Sequence, residues 1–224
     1  MSTKSKLLAL IAVFSLLIAA PVQAGILNNN ALAFNNGTGP GPGGAWTGSD
    51  VFNNGLPFPN NLIGNIDYSV FTVADFNTVF PASGYAPGGG DGLIYTYQLE
   101  NQGNFFVSAQ IVGISNIANA IGNFPSGAAP PPLEVAPGVS TFDSAGNAVW
   151  LFSAQNIATG ENSTILAFSS PNVPELGTGL GITVDGGTVG ITTVPTPSST
   201  AIPEPASVAL LGIGLLGLMT RRRR

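Results

Sequence analysis

Ten carboxylates lie between Gly25 and Ile202, and no lysine, arginine, histidine or cysteine accompanies them there. Acid–base work by paired carboxylates is therefore the enzymatic chemistry this span could offer, as in a glycosidase using two acids. Asp67 with Asp75, or Glu100 with Glu134, are pairs that could meet in a cleft. With ten acids some pairing arises by chance, so neither pair specifies much. Sugar clefts also use flat aromatic faces, and Trp46 and Trp150 are the two tryptophans. Trp150 lies in an apolar run and is expected in the core. Trp46, in Gly-Ala-Trp-Thr-Gly, is the candidate for stacking on a glycan, set against the more ordinary role of core or loop anchor.

The same acids have no fixed counter-charge except an N-terminal amine, which raises the question of a bound cation. Calcium suits hard oxygen ligands. Asp91 in a Gly-rich loop, Asp143 in Asp-Ser-Ala-Gly-Asn and Asp185 in Asp-Gly-Gly are the exposed donors to consider. No Asp-x-Asp-x-Asp loop occurs, and aspartate is first of all a turn former, so no cofactor is expected beyond this calcium candidate. Other chemistries fall away. Without cysteine there is no disulfide framework, thiolate nucleophile or zinc-finger site. Without histidine there is no Ser-His-Asp triad, and without a central base there is no Schiff-base lysine or nucleic-acid footprint. Two sequons, Asn36-Gly-Thr38 and Asn162-Ser-Thr164, are expected by chance in a chain rich in Asn, Ser and Thr.

Short strands separated by turn residues must position whatever these side chains do. Period-two, β-branched and aromatic stretches predict strands over 66–73, 93–99, 104–114, 148–153, 163–168, 180–184 and 188–194, with weaker ones over 46–52 and 76–80. Asp185-Gly186-Gly187 between Val/Ile/Thr runs is the best hairpin signal. Segments 35–44, 84–92 and 127–132 read as Gly/Pro loops, and a helix is conceivable over 114–121. The pattern predicts an all-β domain, an antiparallel β-sandwich of jelly-roll-like type over 25–194, with a barrel as the other closed option. Residues 195–202 read as a stiff Pro/Ser/Thr linker.

Both ends carry sorting chemistry. Lys4 and Lys6, an apolar run over 7–20 and small residues up to Ala24 read as a signal peptide (1–24), a helical leader cut between Ala24 and Gly25. At the other end Pro203-Glu204-Pro205 precedes a short apolar, glycine-interrupted segment that includes Ala206, Leu210, Leu211, Leu215, Leu216 and Met219. Arg221, Arg222, Arg223 and Arg224 follow as a positive-inside stop. The segment is short against a bilayer core of roughly 30 Å, but snorkelling arginines and local thinning let it serve as a transmembrane helix.

Pro-Glu-Pro, the apolar segment and the arginine cluster, in that order over 201–224, resemble the PEP-CTERM sorting signal of Gram-negative bacteria. The resemblance implies export by the secretion machinery and signal peptidase, transient retention in the inner membrane, and recognition by an exosortase that cleaves near the motif. It also suggests an exopolysaccharide or biofilm setting. The residues and the resemblance together predict a non-enzymatic structural protein of the cell surface or extracellular matrix. A carbohydrate-binding surface module is the alternative, and a carboxylate-dependent polysaccharide hydrolase comes third.

Overall fold

The structure is a computed structural model that describes residues 27, 30–57, 61–114, 116–127, 133–184 and 189–201. The domain is all-β and antiparallel but for one short parallel pair. Its strands are β1 (Thr47–Asn53), β2 (Ile63–Thr72), β3 (Leu93–Asn101), β4 (Val107–Val112), β5 (Asn119–Phe124) and β6 (Glu134–Val135), then β7 (Val139–Phe142), β8 (Ala148–Leu151), β9 (Asn162–Ser163), β10 (Ile165–Ser170), β11 (Asn172–Val184) and β12 (Val189–Ala201).

These strands form one hydrogen-bonded path in the order β5-β10-β3-β2-β1-β12-β11-β4-β8-β7, with β6 and β9 attached beside β3. The two ends of the path meet. Asn123 Nδ2 on β5 donates to Ser140 Oγ on β7 at 3.4 Å, and Trp150 Nε1 on β8 donates to the Gly122 carbonyl at 2.9 Å. The sheet thus wraps round a single core, in which Tyr97 and Phe168 from one half touch Trp150 from the other. At the join of the halves, β1 and β12 pair at Asn53 opposite Ile191.

Period two explains why β2, β3 and β10 are buried on both faces. Ile66, Tyr68 and Val70, with Leu93, Tyr95, Tyr97, Leu99, Leu166 and Phe168, point into the main core. The alternate residues Phe71, Ile94, Ile165 and Ala167 form a second cluster outside it. That cluster is roofed by helix α1 (Val73–Val79) and the loop bearing Tyr85. Leu27 reaches the same cluster, and its carbonyl accepts the Thr47 hydroxyl at 2.6 Å.

Four expectations change. Residues 76–80, expected as a strand, belong largely to α1 and its C-cap. Thr72 Oγ1 accepts the Asp75 N–H at 3.2 Å and donates to Asp75 Oδ2 at 2.6 Å, which starts a helix rather than a strand. Phe76 and Phe80, four apart, then share one helical face. The region 114–121, considered for a helix, instead leads into β5, whose backbone groups pair with β10. Residues 195–201, expected as a stalk, are the second half of β12, with Pro195, Thr196, Pro197 and Ser198 all buried. Proline fits here because this stretch pairs with β11, as Pro197 does opposite Pro174, and needs no donor on its far side. Finally, β11 begins at Asn172, eight residues before the predicted start at Leu180. The 183–189 register gives the expected hairpin, while its Asp-Gly-Gly turn lies outside the described residues.

Candidate functional site

Antiparallel register places the acid pairs differently. Asp67 stands opposite Gln98, whereas Asp75 sits inside α1 beyond the end of β2, so five strand residues, about 17 Å, separate Asp67 from Thr72. The other pair is brought together, for Glu100 on β3 and Glu134 on β6 both lie opposite Asn162 of the intervening β9. Their oxygens are engaged locally. Glu134 accepts from Gln98 Nε2 at 3.1 Å and from the Ser126 N–H at 3.1 Å, and Glu100 accepts from Gln102 Nε2 at 3.0 Å. These bonds tie loops and strands together. A surface cavity of about 490 Å³ opens elsewhere, between the ends of β4 and β8 and the base of the β11–β12 hairpin. Of the acids, its lining includes Glu175 and neither Glu100 nor Glu134, so the paired acids do not face that cleft.

The proposed cation donors act as turn staples. Asp143 Oδ1 accepts the N–H groups of Ala145 and Asn147 at 2.8 and 2.9 Å, and Oδ2 accepts Asn147 Nδ2 at 2.9 Å. The Asn147 side chain and backbone, then Ala145 and Gly146, hold its carboxyl below the ordinary value. Asp91 accepts the Ser169 hydroxyl at 2.5 Å and Asn119 Nδ2 at 3.0 Å, and Ser169 in turn accepts the Gly88 N–H. This fixes the Gly-rich loop against β5 and β10. A side chain at Gly88 would strike Asp91 Oδ2 and Asn119 Cβ, which explains glycine there. Asp185 lies outside the described residues. Among the described residues, no three acids gather around a common point.

Trp46 is not available to a sugar. It is 4 % exposed, and its Nε1 donates to Asn36 Oδ1 at 2.7 Å. Asn36 also caps the Thr38 N–H and hydroxyl, so the tryptophan anchors the 35–44 loop. Burial follows from position, because Trp46 sits directly before β1 and packs on the main core. Trp150 is in the core as expected.

One acid that joins two strands gave no signal in the sequence. Asp50 on β1 reaches across to β12, where its Oδ2 accepts the hydroxyls of Thr192 at 2.6 Å and Thr193 at 3.1 Å and the Thr193 N–H at 3.3 Å. Partial burial pushes its pKa up, but these bonds and the Val51 N–H outweigh that and hold it below the ordinary value of 3.8. A lone Asp in a strand with no cation partner looks like solvent-facing polarity. Its role depends on a strand 142 residues away in sequence.

The base of the β11–β12 hairpin is the site from which the C-terminal segment departs. Two core tyrosines reach out to it. Tyr97 Oη donates to the Pro195 carbonyl at 2.5 Å and Tyr95 Oη to the Asn172 carbonyl at 2.8 Å. Burial raises both phenols well above their ordinary range, so they stay protonated donors at any physiological pH. Asn172 Nδ2 donates to the Ser198 carbonyl at 2.7 Å, and Ala201 pairs with Asn172 across the ladder.

Residues 201–224 match the family model of the PEP-CTERM protein-sorting motif. The chain ends in a PEP-CTERM motif. Its boundaries are those of the resemblance drawn from Pro203, Glu204, Pro205 and the arginines, all of which lie outside the described residues, as do Ala24 and Gly25. The motif marks an exported protein that is anchored in a membrane and sorted by an exosortase toward the cell surface. No curated protein and no solved structure matches the chain. No helix among the described residues is long and apolar enough to cross a membrane, and the apolar segment of the PEP-CTERM motif lies beyond them.

Proposed function

We propose that the chain is a structural protein of the cell surface or extracellular matrix, delivered by its PEP-CTERM motif and left there as a closed, acidic β domain. The carrying observation is the motif at 201–224, which follows β12 without a spacer. The domain itself we read as non-catalytic. Supporting this, the cleft holds Glu175, while Glu134, Asp143 and Asp50 are spent on a loop, a turn and a strand join. As architecture, we read the wrapped sheet as a flattened sandwich whose halves face each other across Trp150.

The C-terminal mass of the mature protein tests the sorting reading. Truncation near Pro203–Pro205 is the expected result, and a mature chain still ending in Arg224 would refute it. Incubating the secreted form with exopolysaccharides tests the non-catalytic reading. Turnover abolished by Glu100→Gln or Glu134→Gln would overturn it.

A further inference from the structure

The PEP-CTERM motif begins where the fold has not yet ended. Ala201 is still paired with Asn172, and Pro203 is two residues on, within about 7 Å of the sheet even at full extension. A peptide taken up as an added strand is held through main-chain hydrogen bonds, which needs its backbone free of other pairing. A motif this close to a folded strand cannot be threaded that way while the strand stays in place.

β12 offers a stretch that can come away. Between the pairs Asn172–Ala201 and Pro174–Pro197 the register slips, so Ser198, Ser199 and Thr200 stand against the single residue Val173. The ladder is interrupted there, and the bonds turn inward: the Thr200 N–H goes to Ser198 Oγ at 3.0 Å. What clasps this stretch to β11 is Asn172, through its ladder position and through Nδ2 on the Ser198 carbonyl. Immediately before it the strand is pinned to the core. The Pro197 carbonyl takes Asn116 Nδ2 at 3.2 Å, the Pro195 carbonyl takes the Tyr97 hydroxyl, and burial runs from Val194 to Ser198 before Ser199 and Thr200 become exposed. Peeling therefore has a natural stop at Pro197.

We propose that Ser198–Ala201 is a detachable arm, and that the sorting enzyme acquires the Pro-Glu-Pro segment only after this arm peels from Asn172. The proposal rests on the sorting reading above. Four freed residues and Ile202 lengthen the accessible tether to about 17 Å. The rate of peeling then sets the rate of processing, and Asn172 is the positioning residue that controls it.

The chain has no cysteine, so one introduced pair makes a unique crosslink. Asn172 and Ala201 are directly opposed in an antiparallel ladder, where Cα atoms lie about 4.5–5.5 Å apart, inside the range a disulfide spans. The experiment is a pulse–chase of the full-length precursor in cells carrying its exosortase, reading conversion to the form lacking the arginine tail. With Asn172→Cys and Ala201→Cys oxidised, processing is expected to fall more than about 10-fold, and reduction of the isolated membranes should restore it. Asn172→Ala should process about 5-fold faster than the natural chain. A flexible Gly/Ser spacer placed between Ala201 and Ile202 leaves the domain untouched. It should accelerate processing as Asn172→Ala does and make the crosslink irrelevant.

Processing of the mass-verified crosslinked precursor at the natural rate would overturn the arm, as would a spacer variant no faster than the natural chain. A natural precursor that keeps its arginines in those cells would overturn the sorting reading instead, and the arm with it.

Discussion

Asp50 is the residue on which the join between the two halves of the sheet depends most visibly. β1 and β12 pair at one position, Asn53 opposite Ile191, and the carboxylate takes over where the ladder stops by accepting three bonds from Thr192 and Thr193. Its folded pKa lies below the unfolded value, so its contribution is complete above about pH 4 and is lost as pH falls through the folded pKa. Asp50→Asn keeps the size but halves the accepting capacity, and should lower stability at pH 7 by about 1 kcal/mol, below the roughly 1.5–3 kcal/mol of a charged hydrogen bond because the site is partly exposed. Urea titrations of the natural and Asp50→Asn domains at pH 7 and near pH 3 check this. The two should differ at neutral pH and converge in acid, and an equal gap at both would show that the charge is not what β12 binds. Trp46 is the counterexample at the same scale: an aromatic that its loop sequence offers to solvent is turned inward because Asn36 satisfies its indole N–H.

At the scale of elements, what could be read was what repeats locally. The β-branched and aromatic runs in β2, β3 and β10 announce strands, filled on both faces in β3 and β10, and the Val/Ile/Thr runs around Asp-Gly-Gly announce the distal hairpin. What failed depends on partners far along the chain. β5 is poor in strand formers and contains Ala120 at φ 47, a left-handed position held by the Tyr85 hydroxyl on its carbonyl. Pro195 and Pro197 look like a linker until β11 and the core tyrosines are known to hold them. Helix α1 was legible, since Thr72-x-x-Asp75 before an apolar run is a capping signature, but the aromatic content of 76–80 argues for a strand. Its Phe76 sits edge-on to Phe71, Tyr85 and Phe124 and is fully buried. Phe76→Ala should therefore cost about 3–5 kcal/mol, and Thr72→Ala about 1 kcal/mol. Chemical denaturation of both variants checks the ratio, and a Phe76→Ala penalty as small as that of the cap would mean the outer cluster adds little.

For the whole molecule the decisive fact is the sign of its charge. Between Gly25 and Ile202 there are ten acids and no bases, so side-chain ion pairs within this span are ruled out and every long-range interaction between its charged side chains is a repulsion. Trypsin consequently has no site in this span, and the domain should survive digestion intact even when denatured. Salt separates this molecule from an ordinary domain, where screening weakens attractions and repulsions together. Here it can weaken only repulsion, which is stronger in the compact state than in the expanded one. The melting temperature should therefore climb as sodium chloride rises from about 0.01 M to about 0.15 M, while the screening length falls from about 30 Å to about 8 Å. Tetramethylammonium chloride should give the same curve, because screening depends on ionic strength and not on the cation's fit to a site. Calcium chloride at matched ionic strength supplies the contrast. A rise well above the other two salts would mean that carboxylates such as Asp91, Asp143 or Asp185 bind the ion, whereas three superimposed curves leave repulsion as the whole account. A melting temperature that falls with sodium chloride would contradict the charge argument itself, since no attraction between side chains exists for salt to screen.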